Sequence, residues 1–415
     1  MSTKSKELVG IIVGGGPAPG INGVISSATI EAVNEGRQVV GIIGGFKRLF
    51  DGDKNCILPL TISEVSRIHT EGGSILRTSR EYPNKVKDKF KILMATLKQL
   101  GIKYLITIGG EGTLFMANWI EKEARGSMSV VHVPKTIDND VPLPGGQSTF
   151  GFQTARHWGV EIVKNIMEDA KTTGRWYFIT TMGRTSGSLA LGIGKSSGAT
   201  VTLIAEEFRN EEKPLQKAAD ILTGSIIKRL AMGKDHGVAI LAEGICAVCP
   251  AEELSQYEHC ELDETGRLRL SEIQLGRVLK NFVKKNLDQL GICLTIVDKN
   301  VGYELRAADP IPYDVEYTRD LGYGAVRYLL KGGSGSMIVF DEGYLRPIPF
   351  VELFDFSSGR AKVRTVDTTS EAYEVARKYM IRLEKEDLIG ENLAKLSKMT
   401  NLSPEDFVKR FSYVT

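Results

Sequence analysis

The chain is 415 residues long, 42% hydrophobic and 25% charged, which are globular proportions with enough length for two or three domains and large cores. Its 53 Lys and Arg against 51 Asp and Glu leave a formal net charge of +2. That balance excludes a broad nucleic-acid or membrane-surface footprint, though not a local basic pocket.

No apolar run reaches ~18 residues, so no membrane span is expected. The opening MSTKSKELVGIIVGGG lacks the apolar core of a secretory signal, and a cytoplasmic location follows as the expectation. Five cysteines include one CxxC, Cys246 and Cys249, with no second pair and no nearby His pair. Reduced thiols suit this pattern better than a disulfide or metal scaffold.

Along the chain, apolar β-branched runs alternate with helically spaced segments. The spacing predicts a strand at 8–13, a glycine-rich turn at 14–20, a helix at 22–34 and a strand at 39–43. A helix at 89–99, a strand at 104–108 and a strand at 130–133 follow. The rhythm then repeats, with a helix at 154–170 and a strand at 176–181 that runs into Met182-Gly183-Arg184. Further strands are expected at 201–204, 238–241 and 293–297, and a helix at 271–287 capped by Ser271. The charged, helical tail has a helix start at Ser403-Pro404-Glu405. This alternation predicts an α/β fold of two Rossmann-like, doubly wound domains, about 1–145 and 146–335 with room for the chain to cross between them, and a C-terminal helical extension at 336–415 that packs on the body.

Ligands in such folds bind beyond the carboxyl ends of the strands. Gly14-Gly15-Gly16-Pro17-Ala18-Pro19-Gly20 lies between a strand and a helix, where backbone N–H groups and the helix terminus favour phosphate. It matches neither GxGxxG nor GxxxxGK[ST]. Gly109-Gly110-Glu111-Gly112-Thr113 repeats the arrangement with a carboxylate suited to Mg²⁺ beside a polyphosphate. Pro134-Lys135-Thr136-Ile137-Asp138-Asn139-Asp140 sets two acids two residues apart after a strand. One can take a proton from a substrate hydroxyl while the other helps hold Mg²⁺, and Lys135 can neutralise a transferring phosphate. Arg175 and Arg184 offer phosphate-matching forks. With Glu206, Tyr303 and Arg306 they describe a sugar-phosphate pocket. The five histidines show no metal spacing.

Together these motifs resemble the phosphofructokinase family. The marks are GGGPAPGIN (14–22), GGSILRTSR (72–80), GGEGT (109–113), PKTIDND (134–140), TFGFQTA (149–155), MGR (182–184) and YELRAADPIPYD (303–314). The resemblance spans about residues 8 to 330 and points to a subgroup with both pyrophosphate- and ATP-dependent members. It implies Mg²⁺-dependent phosphoryl transfer to the 1-hydroxyl of fructose 6-phosphate in glycolysis, by a homo-oligomer, dimer or tetramer, of cytoplasmic location. The first domain would then bind the donor and the second the sugar phosphate.

It further implies Asp138 as the base, with Lys135, Thr136, Asp140 and Arg184 in the catalytic set and Glu111 and Asp140 at the metal. Thr136, Ile137, Asp138, Met182, Gly183, Arg184, Glu206, Tyr303 and Arg306 would contact the sugar phosphate. Arg175 would reach into a neighbouring subunit's sugar-phosphate site. Gly16, Arg80, Gly110, Gly112 and Thr113 would line the donor phosphates.

Some positions depart from the family pattern. Glu111 replaces the usual Asp, which moves the carboxylate by ~1.5 Å. Pyrophosphate-dependent members typically carry Asp at position 112, in the space of the ATP α-phosphate, and Gly112 leaves that space open. This makes ATP the expected donor, helped by Phe46 as an aromatic near adenine. Pyrophosphate is the alternative, because Lys135 is common in those enzymes and Met116 would narrow a nucleotide site. Sedoheptulose 7-phosphate as acceptor, or a non-catalytic regulatory paralogue marked by Glu111, are further readings.

Overall fold

The computed structural model describes residues 7–80, 89–255, 273–355 and 360–415. Ser271, expected to cap a helix, lies outside them. In chain order the first strands are β1 (Leu8–Val13), β2 (Gln38–Ile42), β3 (Ile57–Leu60), β4 (Ile102–Gly109), β5 (Ser129–Thr136) and β6 (Phe150–Gly151). Then come β7 (Arg175–Thr181), β8 (Val201–Leu203), β9 (Gly237–Ala242), β10 (Thr295–Val301), β11 (Ser336–Asp341) and β12 (Tyr344–Pro349). They divide between two compact units, Met1–Ala155 with Tyr303–Arg364, and Arg156–Gly302 with Thr365–Thr415.

The first unit holds an eight-stranded sheet in the order β12-β11-β5-β4-β1-β2-β3, with β6 paired to β5. Its centre is parallel, and β3 and β12 run antiparallel at the edges. Central strands such as LVGIIV are almost wholly apolar because both faces are covered. Alternate side chains serve opposite cores. Val9, Ile11 and Val13 pack with Ile106, Val131 and the helix Ile21–Asn34, whereas Ile12 packs with Leu105, Val130 and the helix Glu111–Ala124. From β1 the chain goes to β2 on one side and later to β4 on the other. The carboxyl ends of β1 and β4 therefore flank a topological switch point.

The second unit holds a wholly parallel four-stranded sheet, β10-β7-β9-β8, whose switch point lies between β7 and β10. One core gathers Trp176, Phe178 and Leu241 with the helices Pro214–Ala231 and Leu275–Gln289. Phe407 and Phe411 from the tail are fully buried in that same core. Ser403 caps the helix Pro404–Phe411, its hydroxyl accepting the Asp406 N–H, where the sequence placed a helix start.

The α/β class and the doubly wound sheets match the sequence reading. The units differ from its divisions at 145 and 335. Residues 303–330 rejoin the first unit because Tyr317, Leu321 and Ala325 of the helix Pro312–Leu330 share a core with Ile21, Val24 and Ala28. The stretch 336–415 is not one extension. Met337, Ile338 and Val339 are fully buried in the first unit's sheet, and 365–415 belongs to the second unit. Among the described residues, no helix is long and apolar enough to cross a membrane.

Candidate active site

In the first unit the two glycine turns meet at the switch point. The Gly14 N–H donates to the Ile108 carbonyl (2.9 Å), tying the end of β1 to the end of β4. Gly15 has φ +82°, a left-handed conformation open to glycine. Its N–H donates to the Ser79 carbonyl (2.9 Å), and the Thr78 hydroxyl donates to the Gly15 carbonyl (2.6 Å). These bonds deliver the neighbouring Arg80.

Three cations converge on this turn. A β-carbon placed on Gly16 would lie 3.3 Å from Arg306 Nη1 and 3.8 Å from Arg80 Nη2. One placed on Gly15 would lie 3.3 Å from Lys135 Nζ, and that ammonium donates to the Gly16 carbonyl. Arg306, expected at the sugar 6-phosphate, thus stands beside the first glycine turn. Its guanidinium lies 4.5 Å from the Tyr303 ring centroid, and Tyr303 is exposed. Lys135 is buried, and that burial lowers its pKa to about 8, with Arg80 and Arg306 adding repulsion and Asp138 and Asp140 opposing them.

The two acids sit on a turn held from several sides. The Asp138 N–H donates to Thr136 Oγ1 (3.0 Å), and the Thr149 hydroxyl donates to the Thr136 carbonyl (2.8 Å). Asn139, between the acids, has φ +57°. Its side-chain oxygen accepts the Thr149 N–H (3.1 Å) and a bond from Arg364. Thr149 and Arg364 are partners that the motif did not reveal.

Gly110 caps the helix Glu111–Ala124, and Glu111 and Asp140 line one small cavity with Gly110 and His132. Glu111 and Asp140 supply the oxygen donors that a hard divalent cation takes while keeping its waters, and among the described residues no group of three or more His, Cys, Asp or Glu is placed to hold one by itself. His132 is buried, which pushes its pKa down to about 3, so it is neutral in this cavity wall. Thr113 presses on Gly14 and Gly109, where no side chain fits. A β-carbon placed on Gly112 would meet no atom within 4 Å, so the space expected there is open. Met116 and Phe46 are 1% and 2% exposed and pack in the core. Burial leaves Phe46 no exposed ring for an adenine and gives Met116 a core-packing role.

In the second unit, Met182, Gly183 and Arg184 follow the carboxyl end of β7, and the Gly183 N–H donates to Glu243 Oε1 (3.3 Å). Glu206 accepts from the Gly187 N–H (2.9 Å) and the Val366 N–H (3.0 Å), so backbone donors take much of its capacity. Arg175 begins β7, at the far end of that strand from Met182. The unit does not bring Arg175 and Arg184 together.

A family model described as phosphofructokinase matches residues 8–329. The chain is 52% identical over 415 residues to the pyrophosphate–fructose 6-phosphate 1-phosphotransferase of Thermotoga maritima, covering 99% of each chain. It is 44% identical over 424 residues to the protein of that name from Naegleria fowleri, covering 100% of this chain and 97% of that one. It is 35% identical over 279 residues to the ATP-dependent 6-phosphofructokinase of Aquifex aeolicus, covering 66% of this chain and 81% of the other. Among solved structures, the fold matches phosphofructokinase from Saccharomyces cerevisiae at TM-score 0.66 and 20% identity, covering 99% of this chain and 50% of that chain. It also matches a pyrophosphate-dependent phosphofructokinase from Nitrosospira multiformis at TM-score 0.66 and 16% identity, covering 92% of each.

Proposed function

The chain belongs to the phosphofructokinase family of phosphotransferases, and from that premise we propose that it transfers a phosphoryl group from pyrophosphate to the 1-hydroxyl of fructose 6-phosphate. The observation that carries the donor assignment is the 52% identity, over 99% of both chains, to a relative named for that reaction. The ATP preference expected from Gly112 gives way. An open space permits a larger donor without selecting one, and Phe46, buried in the core, exposes no ring to an adenine.

In this reading Arg80, Lys135 and Arg306 hold the pyrophosphate at the Gly14–Gly16 turn, aided by the helix N-terminus at Gly110–Thr113. Asp138 takes the proton of the 1-hydroxyl as its oxygen bonds to phosphorus and the bridging P–O bond breaks, releasing orthophosphate. Thr136 and Ile137 position that base, and Arg184 is the second unit's cation suited to phosphate. Glu111 and Asp140 would hold Mg²⁺, which supplies charge neutralisation on the donor oxygens when bound. Met182 and Gly183 line the sugar, and Glu206 orients the Gly187 turn. Arg175 reaches the sugar phosphate of a neighbouring subunit in a homo-oligomer, consistent with its place at the other end of β7.

Fructose 1,6-bisphosphate formation from fructose 6-phosphate and Mg²⁺, with pyrophosphate and ATP in parallel, tests the reading. Product with pyrophosphate is expected. Product with ATP alone would overturn it in favour of the second reading, which rests on the open space at Gly112.

A further inference from the structure

We propose that Arg364, in a stretch without any recognisable motif, is a positioning residue that sets the geometry of the Asp138–Asp140 turn. Its Nε donates to the Asn139 carbonyl (2.9 Å) and its Nη1 to the Gln147 carbonyl (2.8 Å). Its Nη2 donates to the Asn139 side-chain oxygen. Its own backbone N–H donates to the Asp140 carbonyl (2.7 Å). One residue thus grips the backbone oxygens of both Asn139 and Asp140, while its fork spans to Gln147 on the far side of the loop.

The turn needs such a grip. Asn139 is in the left-handed region at φ +57°, which Asn adopts more readily than other non-glycine residues, and contacts that hold its two flanking peptides select this state over the commoner backbone conformations. The peptide on each side of Asn139 carries one of the two acids. A rotation about its φ or ψ bond would turn Asp138 relative to Asp140. Arg suits the task because its planar fork donates from three separate nitrogens to well-spaced oxygens, whereas a lysine ammonium donates from one point. The inference rests on the proposed reading in one respect, that the acids act in phosphoryl transfer.

The test is steady-state kinetics and amide exchange on Arg364→Met, Arg364→Lys and Asn139→Gly in the full chain, with melting temperatures alongside. A ~1 Å misplacement costs about 10²-fold, so Arg364→Met is expected to lower kcat by roughly that factor. KM for fructose 6-phosphate should move only about threefold or less, and amide exchange across 136–142 should quicken selectively. Arg364→Lys should remain at least about tenfold down. Asn139→Gly keeps the left-handed backbone but removes the side-chain bond. Combined with either Arg364 variant, it should cost less than the two changes added separately. Unchanged kcat and unchanged exchange in Arg364→Met would overturn the proposal, as would strict additivity in the cycle. If Arg364→Met does not fold, the cycle built on Arg364→Lys decides. A wild type that makes no product with either donor would defeat the functional reading, and amide exchange would still judge the role of Arg364.

Discussion

The Lys135 ammonium donates a hydrogen bond to the carbonyl of Gly16, 119 residues earlier in the chain. This contact places a buried cation against a turn whose flanking arginines favour phosphate. The site and its supports can be probed at four positions.

Lys135 should impose a pH limit on donor use. Its pKa near 8 means that the charge is present below about pH 8 and lost above it. The rate constant kcat/KM for pyrophosphate should therefore fall as pH rises through about 8, and Lys135→Met should lose that limb of the profile. The same shift has a stability sign. The folded value lies below the free-lysine 10.5, so the unfolded chain binds more protons between about 8 and 10.5, and stability attributable to this group rises with pH over that window.

Asp138→Ala should lower turnover by ~10²–10⁴-fold, the range for losing a general base, with a smaller effect on sugar binding. Coupled measurement of fructose 1,6-bisphosphate formation reads this directly. An unaltered rate would assign the proton to another group.

Gly112→Asp should fit without repacking, because nothing lies within 4 Å of its β-carbon position. With pyrophosphate as donor, kcat/KM should change by less than about tenfold, or ~1.4 kcal/mol. Any turnover with ATP should drop through repulsion of its α-phosphate. A collapse of pyrophosphate use would mean that this donor extends over Gly112.

Asp314 supports the site from behind. It is fully buried and accepts the Gly151 N–H (2.9 Å), the Thr154 N–H (2.8 Å) and the Thr154 hydroxyl (2.6 Å). Gly151 ends β6, which pairs with Lys135 and Thr136 of β5. Asp314→Ala would leave three buried donors unmatched. A loss of about 3 kcal/mol is expected, read calorimetrically as a melting temperature lower by roughly 6–12 °C.

Much of the fold was legible because parallel strands buried on both faces read as apolar runs. The strand expected at 104–108 is the centre of β4 (Ile102–Gly109), and that at 176–181 is β7 less its first residue. The strand expected at 293–297 begins two residues later and runs on through Asp298, Lys299 and Asn300, polar residues that hide its period. The Gly14, Gly110 and Asp138 turns were legible because close backbone approach and paired acids leave short-range marks. Met116 and Phe46 were not, since an apolar side chain near a glycine turn has the same sequence signature whether it faces a ligand or the core.

The sequence by itself determined the two βαβ series, the strand-end turns and the kind of chemistry their acids and cations can perform. These follow from hydrophobic period and from local backbone demands. Only the tertiary structure decided that Arg306 stands over Gly16, and that Arg364 holds Asn139 from 225 residues away. It also decided that residues 336–364 complete the first unit while 365–415 join the second. A guanidinium or an apolar run encodes what it can bind but not which distant partner will meet it. That choice is made by the packing of whole sheets and helices around their cores.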